Sequence, residues 1–165
     1  MSHGDIAVSF DTEDLQQLNQ LLQGLLTEAS ARSAFLVGRA GQLLTSEGAT
    51  RDVDHASFAS LAAADFAASD KLAELLGEDE FASLYHQGDV SSMVLVDVGG
   101  RAILAALFDS RTTLGMVRLK TKALVPELVR LFDVAAQRER SEPRPTLGAD
   151  WADEASGEID RLFTE

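Results

Sequence analysis

The chain contains no cysteine. No disulfide framework and no thiolate chemistry are therefore available, and a reducing compartment is the simplest setting for it. Positive charge is scarce, with 14 Lys and Arg against 27 Asp and Glu and a formal net charge of −13. Phosphate backbones and anionic lipid both reward cations, so no nucleic-acid partner is expected. No uninterrupted apolar run approaches the ~20 residues of a membrane span, and Met1 to Asp11 lacks the basic start and apolar core of an export signal. The expected location is the cytoplasm, with no membrane span. There are three histidines. His3 lies near the terminus, His55 opens a helix and His86 falls in a loop, none with a ligand partner at i+3 or i+4. No metal and no cofactor are expected. Neither G-x-x-x-x-G-K-S/T nor G-x-S-x-G occurs, so the chain is expected not to be a GTPase or a hydrolase itself.

What is present is a clear order of elements. Ser92–Val98 and Ala102–Phe108 are β-rich runs joined by Gly99-Gly100, a pair that suits a tight hairpin turn requiring φ > 0. The second run has almost no polar alternation and reads as a strand covered on both faces. Asp109, Ser110 and Thr112 supply capping oxygens ahead of Leu114, Val117, Leu124, Leu128 and Leu131, whose spacing is helical to about Arg140. Pro126 inside that helix predicts a kink or a restart near Val125. Upstream, Asp11 and Thr12 cap a first helix carrying Leu15, Leu18, Leu21, Leu22, Leu25, Leu26 and Ala29 at i, i+3, i+4 spacing. Ala34–Val37 and Gln42–Thr45 read as two strands around a turn at Arg39-Ala40-Gly41, with a polar loop from Ser46 to Asp54. An Ala-rich helix follows from His55 to Leu76 and stops at Gly77. Glu78 to Gly88 reads as a short helical turn and a loop.

The Ala-rich helix is apolar beyond one stripe. Phe58, Leu61, Ala62, Asp65, Ala68, Ser69, Leu72 and Leu76 are read as its core face, while Ala59, Ala63, Ala64, Phe66 and Ala67 continue the apolar surface around it. Alanine is a good helix former and needs no further reason to be there. Small side chains also admit another backbone closely, so a self-association face, a partner face or both are predicted. Asp65 in the core stripe would need a partner or water. Asp97 and Asp109 stand at strand ends, where turn chemistry accounts for them better than catalysis does. Beyond Ser141 lies a Pro-containing polar linker, and residues 150–165 carry Trp151, Ala155, Ile159, Leu162 and Phe163 on an otherwise acidic segment. A frayed end packing weakly on its own domain and a partner-docking helix are both compatible with that pattern.

The Leu-Gly-x-Val-Arg-Leu run at 114–119, after a strand ending in Phe108-Asp109, resembles the roadblock family, and within it the MglB branch. Phe35-Leu36-Val37 with Gly41-Gln42-Leu43, Leu61 to Leu76 with Gly77-Glu78, Phe81 with His86-Gln87-Gly88, and Asp160-Arg161-Leu162-Phe163 extend the resemblance over nearly the whole chain. It implies an α/β fold, a roadblock-like αββαββα sandwich with a central antiparallel sheet, plus a C-terminal linker and a short tail helix. The expected divisions are a domain at 1–140, a linker at 141–149 and a tail helix at 150–165. It further implies a homodimer that regulates a small Ras-like GTPase of the MglA type in bacterial cell polarity or motility, with concentration at a cell pole. Such a regulator activates the GTPase by reshaping its switch regions and has no catalytic residue of its own. The platform role carries onto Ala63, Ala64, Ala67 and Lys71, and a second contact onto Ile159, Leu162 and Phe163. Asp70 and Lys71 replace small residues of relatives and so bear on partner choice. Arg111 is the loop arginine that could act in trans, although a solvated turn arginine explains it more simply. Two other readings are a scaffold that binds the GTPase without changing its turnover and a small-molecule sensor with a pocket between sheet and helix.

Overall fold

A computed structural model describes residues 8–141. Helix α1 spans Thr12–Ala29, followed by β1 Ser33–Gly38, β2 Leu43–Gly48, α2 His55–Leu76, β3 Ser83–Gln87, β4 Ser92–Val98, β5 Ala102–Phe108 and α3 Leu114–Ser141. The five strands form one antiparallel sheet in the order β2-β1-β5-β4-β3. The roadblock-like αββαββα order is present, with one strand added. That strand, β3, occupies residues read above as a helical turn and loop. Its cue is weak because only Leu84 and Tyr85 are β-favouring, and its alternation becomes visible only through its pairing, Leu84 with Leu95 and Tyr85 with Val94.

The sheet separates two apolar layers. On one face α1 and α3 cover Leu36, Val94, Val98, Leu104 and Phe108 with Leu18, Leu22, Val117, Leu128 and Leu131. On the other face α2 packs Ala59, Ala62, Ala63 and Phe66 against Phe35, Val37, Leu95, Ile103 and Ala105. β5 is thus covered on both sides, as its unbroken apolar run requires.

Local chemistry sets the element ends. Asp11 accepts the Asp14 N–H at 2.9 Å while Asp14 accepts the Asp11 N–H at 3.1 Å, a reciprocal cap at the start of α1. Asp54 caps α2, and Gly77 closes it in the left-handed region at φ 76°. Gly99 and Gly100 both have positive φ, 60° and 70°, and turn β4 into β5. β2 continues to Gly48, so the loop begins three residues later than Ser46 would have it. At Gly48 a Cβ would stand 2.3 Å from the Arg32 carbonyl oxygen, and φ is +92°, which leaves glycine as the residue that fits. The cap of α3 is Thr113, whose hydroxyl accepts the Met116 N–H at 3.2 Å, rather than Asp109, Ser110 or Thr112. α3 also runs through Pro126 as one helix with no restart. Pro126 is exposed, so the Lys122 carbonyl that lacks its N–H donor is open to solvent.

Three of these carboxylates are held below the ordinary aspartate value of 3.8. Asp11 is lowered by the Asp14 backbone N–H and then by the Arg138 guanidinium. Asp54 is lowered by the Ser57 hydroxyl and backbone N–H, and Asp109 by the Arg111 side chain and backbone. A depressed folded-state pKa stabilises the fold above the unfolded value and loses that contribution as pH falls through the folded value. Thermal stability is therefore expected to be flat from neutral pH down to about 5 and to decline below about 4 as these groups protonate. Asp11→Asn should narrow the difference in melting temperature between neutral and acid pH, measured by circular dichroism. An unchanged difference would show that the α1 cap is not among the groups responsible.

Candidate functional site

Helix α2 is built the opposite way round from a usual amphipathic helix. It turns Ala59, Ala62, Ala63 and Ala73 to the sheet, with Phe66 and Ser69, and leaves its leucines outside. Leu61, Leu72, Leu75 and Leu76 are 69%, 56%, 82% and 71% exposed. The core face differs from the one read from spacing, in which Leu61, Ala68, Leu72 and Leu76 pointed inward. The reason is closeness: the β1–β2 turn passes so near that a Cβ on Gly41 would meet the Ser60 Cα at 3.4 Å and the Ala63 Cβ at 3.9 Å. Small residues are selected on that side, and large apolar ones are displaced outward.

The outward ridge runs Leu61, Ala64, Ala68, Leu72, Leu75 at helical spacing, with Ala67 and Lys71 on its flank, all exposed. Ala64, Ala67 and Lys71 are therefore on the free surface. Ala63 is not: it is buried and packs in the layer between α2 and the sheet. Lys71 is tied to Glu74 at 2.9 Å, and its pKa is raised by that carboxylate. Beside the ridge, Leu84, Met93 and Leu107 of the sheet are only partly covered. Scattered surface leucines need no explanation, but a contiguous set on one helix beside uncovered sheet residues marks an interaction surface. Ile159, Leu162 and Phe163, the other expected contacts, lie outside the described residues, as do the linker at 142–149 and its boundary.

Two polar contacts fasten α2, and neither was read from the sequence. Arg39, in the β1–β2 turn, bonds Asp70 of α2 at 2.9 Å, pairs with Asp97 at the end of β4, and lies 4.5 Å from the centroid of Phe66. Burial pulls the Arg39 pKa down, but the Asp97 and Asp70 carboxylates outweigh it and raise it. Asp97 also accepts the Gly100 N–H at 2.9 Å, so the turn role expected for it is present beside the ion pair. Asp70 is thus an internal strut. Asp65 is half-buried at the rim, where it meets His86 of β3 at 2.6 Å. His86 is on a strand, not in a loop, and its partner is 21 residues away.

Among the described residues no group of His, Asp or Glu is placed to hold a metal ion, and no helix is long and apolar enough to cross a membrane. His55 bonds the Thr50 carbonyl oxygen at 3.0 Å. A groove of about 240 Å³ between α1 and α3 is lined by Leu21, Gly24, Leu25, Ala123 and Leu124. Gln20, Glu28, Lys120 and Glu127 complete its lining; Glu28 and Lys120 pair with each other at 2.8 Å, and Glu127 pairs with Arg130 at 3.3 Å. Arg111 is exposed and bonds Asp109 at 2.9 Å in the β5–α3 loop.

Comparison with known proteins bears on this surface. The Roadblock/LC7 domain family profile matches residues 17–108. Myxococcus xanthus MglB is 39% identical over 78% of this chain and 96% of its own, with a TM-score of 0.72. A structure described as MglB with tetrameric arrangement is 30% identical over 78% of this chain and 97% of its own, TM-score 0.74. The gliding protein MglB of Thermus thermophilus is 29% identical over 77% and 96%, TM-score 0.72. No curated protein matches the chain.

Proposed function

The chain belongs to the Roadblock/LC7 domain family as an MglB-like member, and from that premise we propose that it is a self-associating regulator of a small Ras-like GTPase of the MglA type, acting in bacterial gliding motility or cell polarity. The observation that carries the reading is the inverted face of α2, with alanines on the sheet and four leucines in solvent. A helix so arranged is completed by a partner. One similar structure is described as having a tetrameric arrangement and another as a gliding protein, which supports self-association and the motility setting. A homodimer presents two α2 ridges side by side, a platform broad enough for a globular GTPase.

The mechanism is non-covalent. The platform binds one arrangement of the GTPase switch loops more tightly than the other and moves the population toward hydrolysis, an effect limited by that difference in affinity. Ala64, Ala67 and Lys71 are the described residues that meet partners in this reading, with Ile159, Leu162 and Phe163 of the tail as a second contact. The protein contributes no catalytic group, and Arg111 remains engaged with Asp109.

Single-turnover GTP hydrolysis by an MglA-type GTPase, with and without the full chain, tests this. Acceleration is expected, and Arg111→Ala should retain most of it. Binding without acceleration would replace the regulator by a scaffold. Loss of activation in Arg111→Ala with binding intact would establish an arginine supplied in trans, which is worth roughly 10³-fold or more in other GTPases.

A further inference from the structure

The first half of α3 is the one strongly basic stretch in a chain whose net charge is −13. From Ser110 to Pro126 there are four bases and no acid. Arg111 and Lys120 are already paired, to Asp109 and Glu28. Arg118 and Lys122, one turn apart on the outer surface, form no ion pair among the described residues. Between and beside them Leu119 and Met116 are 61% and 41% exposed, and Gly115 and Pro126 bound the ridge with no long side chain. This surface is on the opposite side of the sheet from α2, and the platform does not use it.

Its chemistry calls for an acidic segment with an apolar stripe. Residues 150–165 of this chain carry six acids against one base, together with Trp151, Ile159, Leu162 and Phe163. Reach is sufficient. Lys122 lies 19 residues before Ser141 on a continuous helix, about 28 Å at 1.5 Å per residue. Residues 142–149 span up to about 28 Å when extended, so residues 150–165 can start anywhere from the end of α3 to Lys122. Tethering gives such a contact a high effective concentration even when the segment binds weakly by itself. We propose that residues 150–165 dock on the basic, apolar outer face of α3 formed by Met116, Arg118, Leu119 and Lys122. A partner that takes the tail must then compete with α3 for it, which makes this contact a rest position for the segment.

Trp151 is the single tryptophan of the chain and reports on the contact without any GTPase. In the full-length protein its emission should be blue-shifted and protected from acrylamide. The double variant Arg118→Glu with Lys122→Glu should shift it to the red and raise quenching severalfold, with far-UV circular dichroism unchanged because both positions are exposed. Leu119→Asp should do the same by removing the apolar contact. Concentrated salt should release the tail partly, since surface pairs are screened, and dilution should leave the signal unchanged. A fully exposed Trp151 in the parent protein would overturn the proposal. So would a protected Trp151 that neither set of variants moves, or protection that disappears on dilution, which would put the tail on another copy. Should GTPase activation fail while Trp151 behaves as stated, the proposed function falls and this contact stands.

Discussion

Replacing Arg39 by methionine is expected to destabilise the domain by about 3 kcal/mol, the lower end of the range for removing one partner of a buried ion pair. Methionine keeps the apolar stem against Phe66 and deletes the guanidinium. Asp97 retains the Gly100 N–H. Asp70 fares worse, because its other oxygen is already buried without a hydrogen bond. Its charge would then sit between α2 and the sheet uncompensated. The side chains of Arg39, Asp97 and Asp70 are 19%, 16% and 33% exposed, which moves the cost toward the bottom of that range and still well above the 0–1 kcal/mol of a surface pair. Chemical denaturation should show a lower midpoint at unchanged slope. Asp70→Asn in the Arg39→Met background should recover part of the loss, as coupled neighbours do. A loss below 1 kcal/mol would mean that α2 is held by Phe66 and its alanines alone. The effect reaches function because Arg39 and Phe66 anchor the second half of α2, the half that carries Leu72, Leu75 and Leu76.

This strut also shows where sequence reading ends. Helices α1, α2 and α3 and the β4–β5 hairpin were legible because caps, glycines and apolar spacing are local signals, and His55–Leu76 with Gly77 emerges with the bounds read for it. Arg39 is 31 residues from Asp70 and 58 from Asp97 in the chain, and only the topology brings them together. Strand β3 failed for a related reason: an edge strand of mixed polarity is specified by its neighbour more than by its own residues. The inverted face of α2 is more instructive. Spacing assigned the leucines to the core because area favours burying them. The close passage of the Gly41 turn instead demanded alanine at the sheet, a constraint that no single-helix pattern contains. The same constraint buries Ala63, whereas Ala64, Ala67 and Lys71 fall on the surface.

That inversion makes Ala64→Arg the most disruptive change expected for self-association. Ala64 is exposed in the protomer, at the middle of the ridge between Leu61 and Ala68, so an arginine there is solvated and the protomer keeps its far-UV circular dichroism, while the melting temperature falls only by what dimerisation contributes. In a two-fold symmetric dimer each substitution occurs twice across the same surface. A central interface position costs roughly 2 kcal/mol or more per copy when complementarity is lost. Two copies give about 4 kcal/mol, close to a 1,000-fold weaker dimer. Light scattering across a concentration series should show dimer for the parent chain and monomer for the variant in the micromolar range. Ala67→Arg, on the flank, separates the two uses of α2: if it leaves the dimer intact and removes GTPase binding, the flank belongs to the partner, and if it breaks both, the dimer is what builds the binding site. A parent chain that is monomeric at micromolar concentration, or an Ala64→Arg dimer as tight as the parent, would show that the exposed leucines are not the self-association face. The reading of α2 as a platform would fall with them.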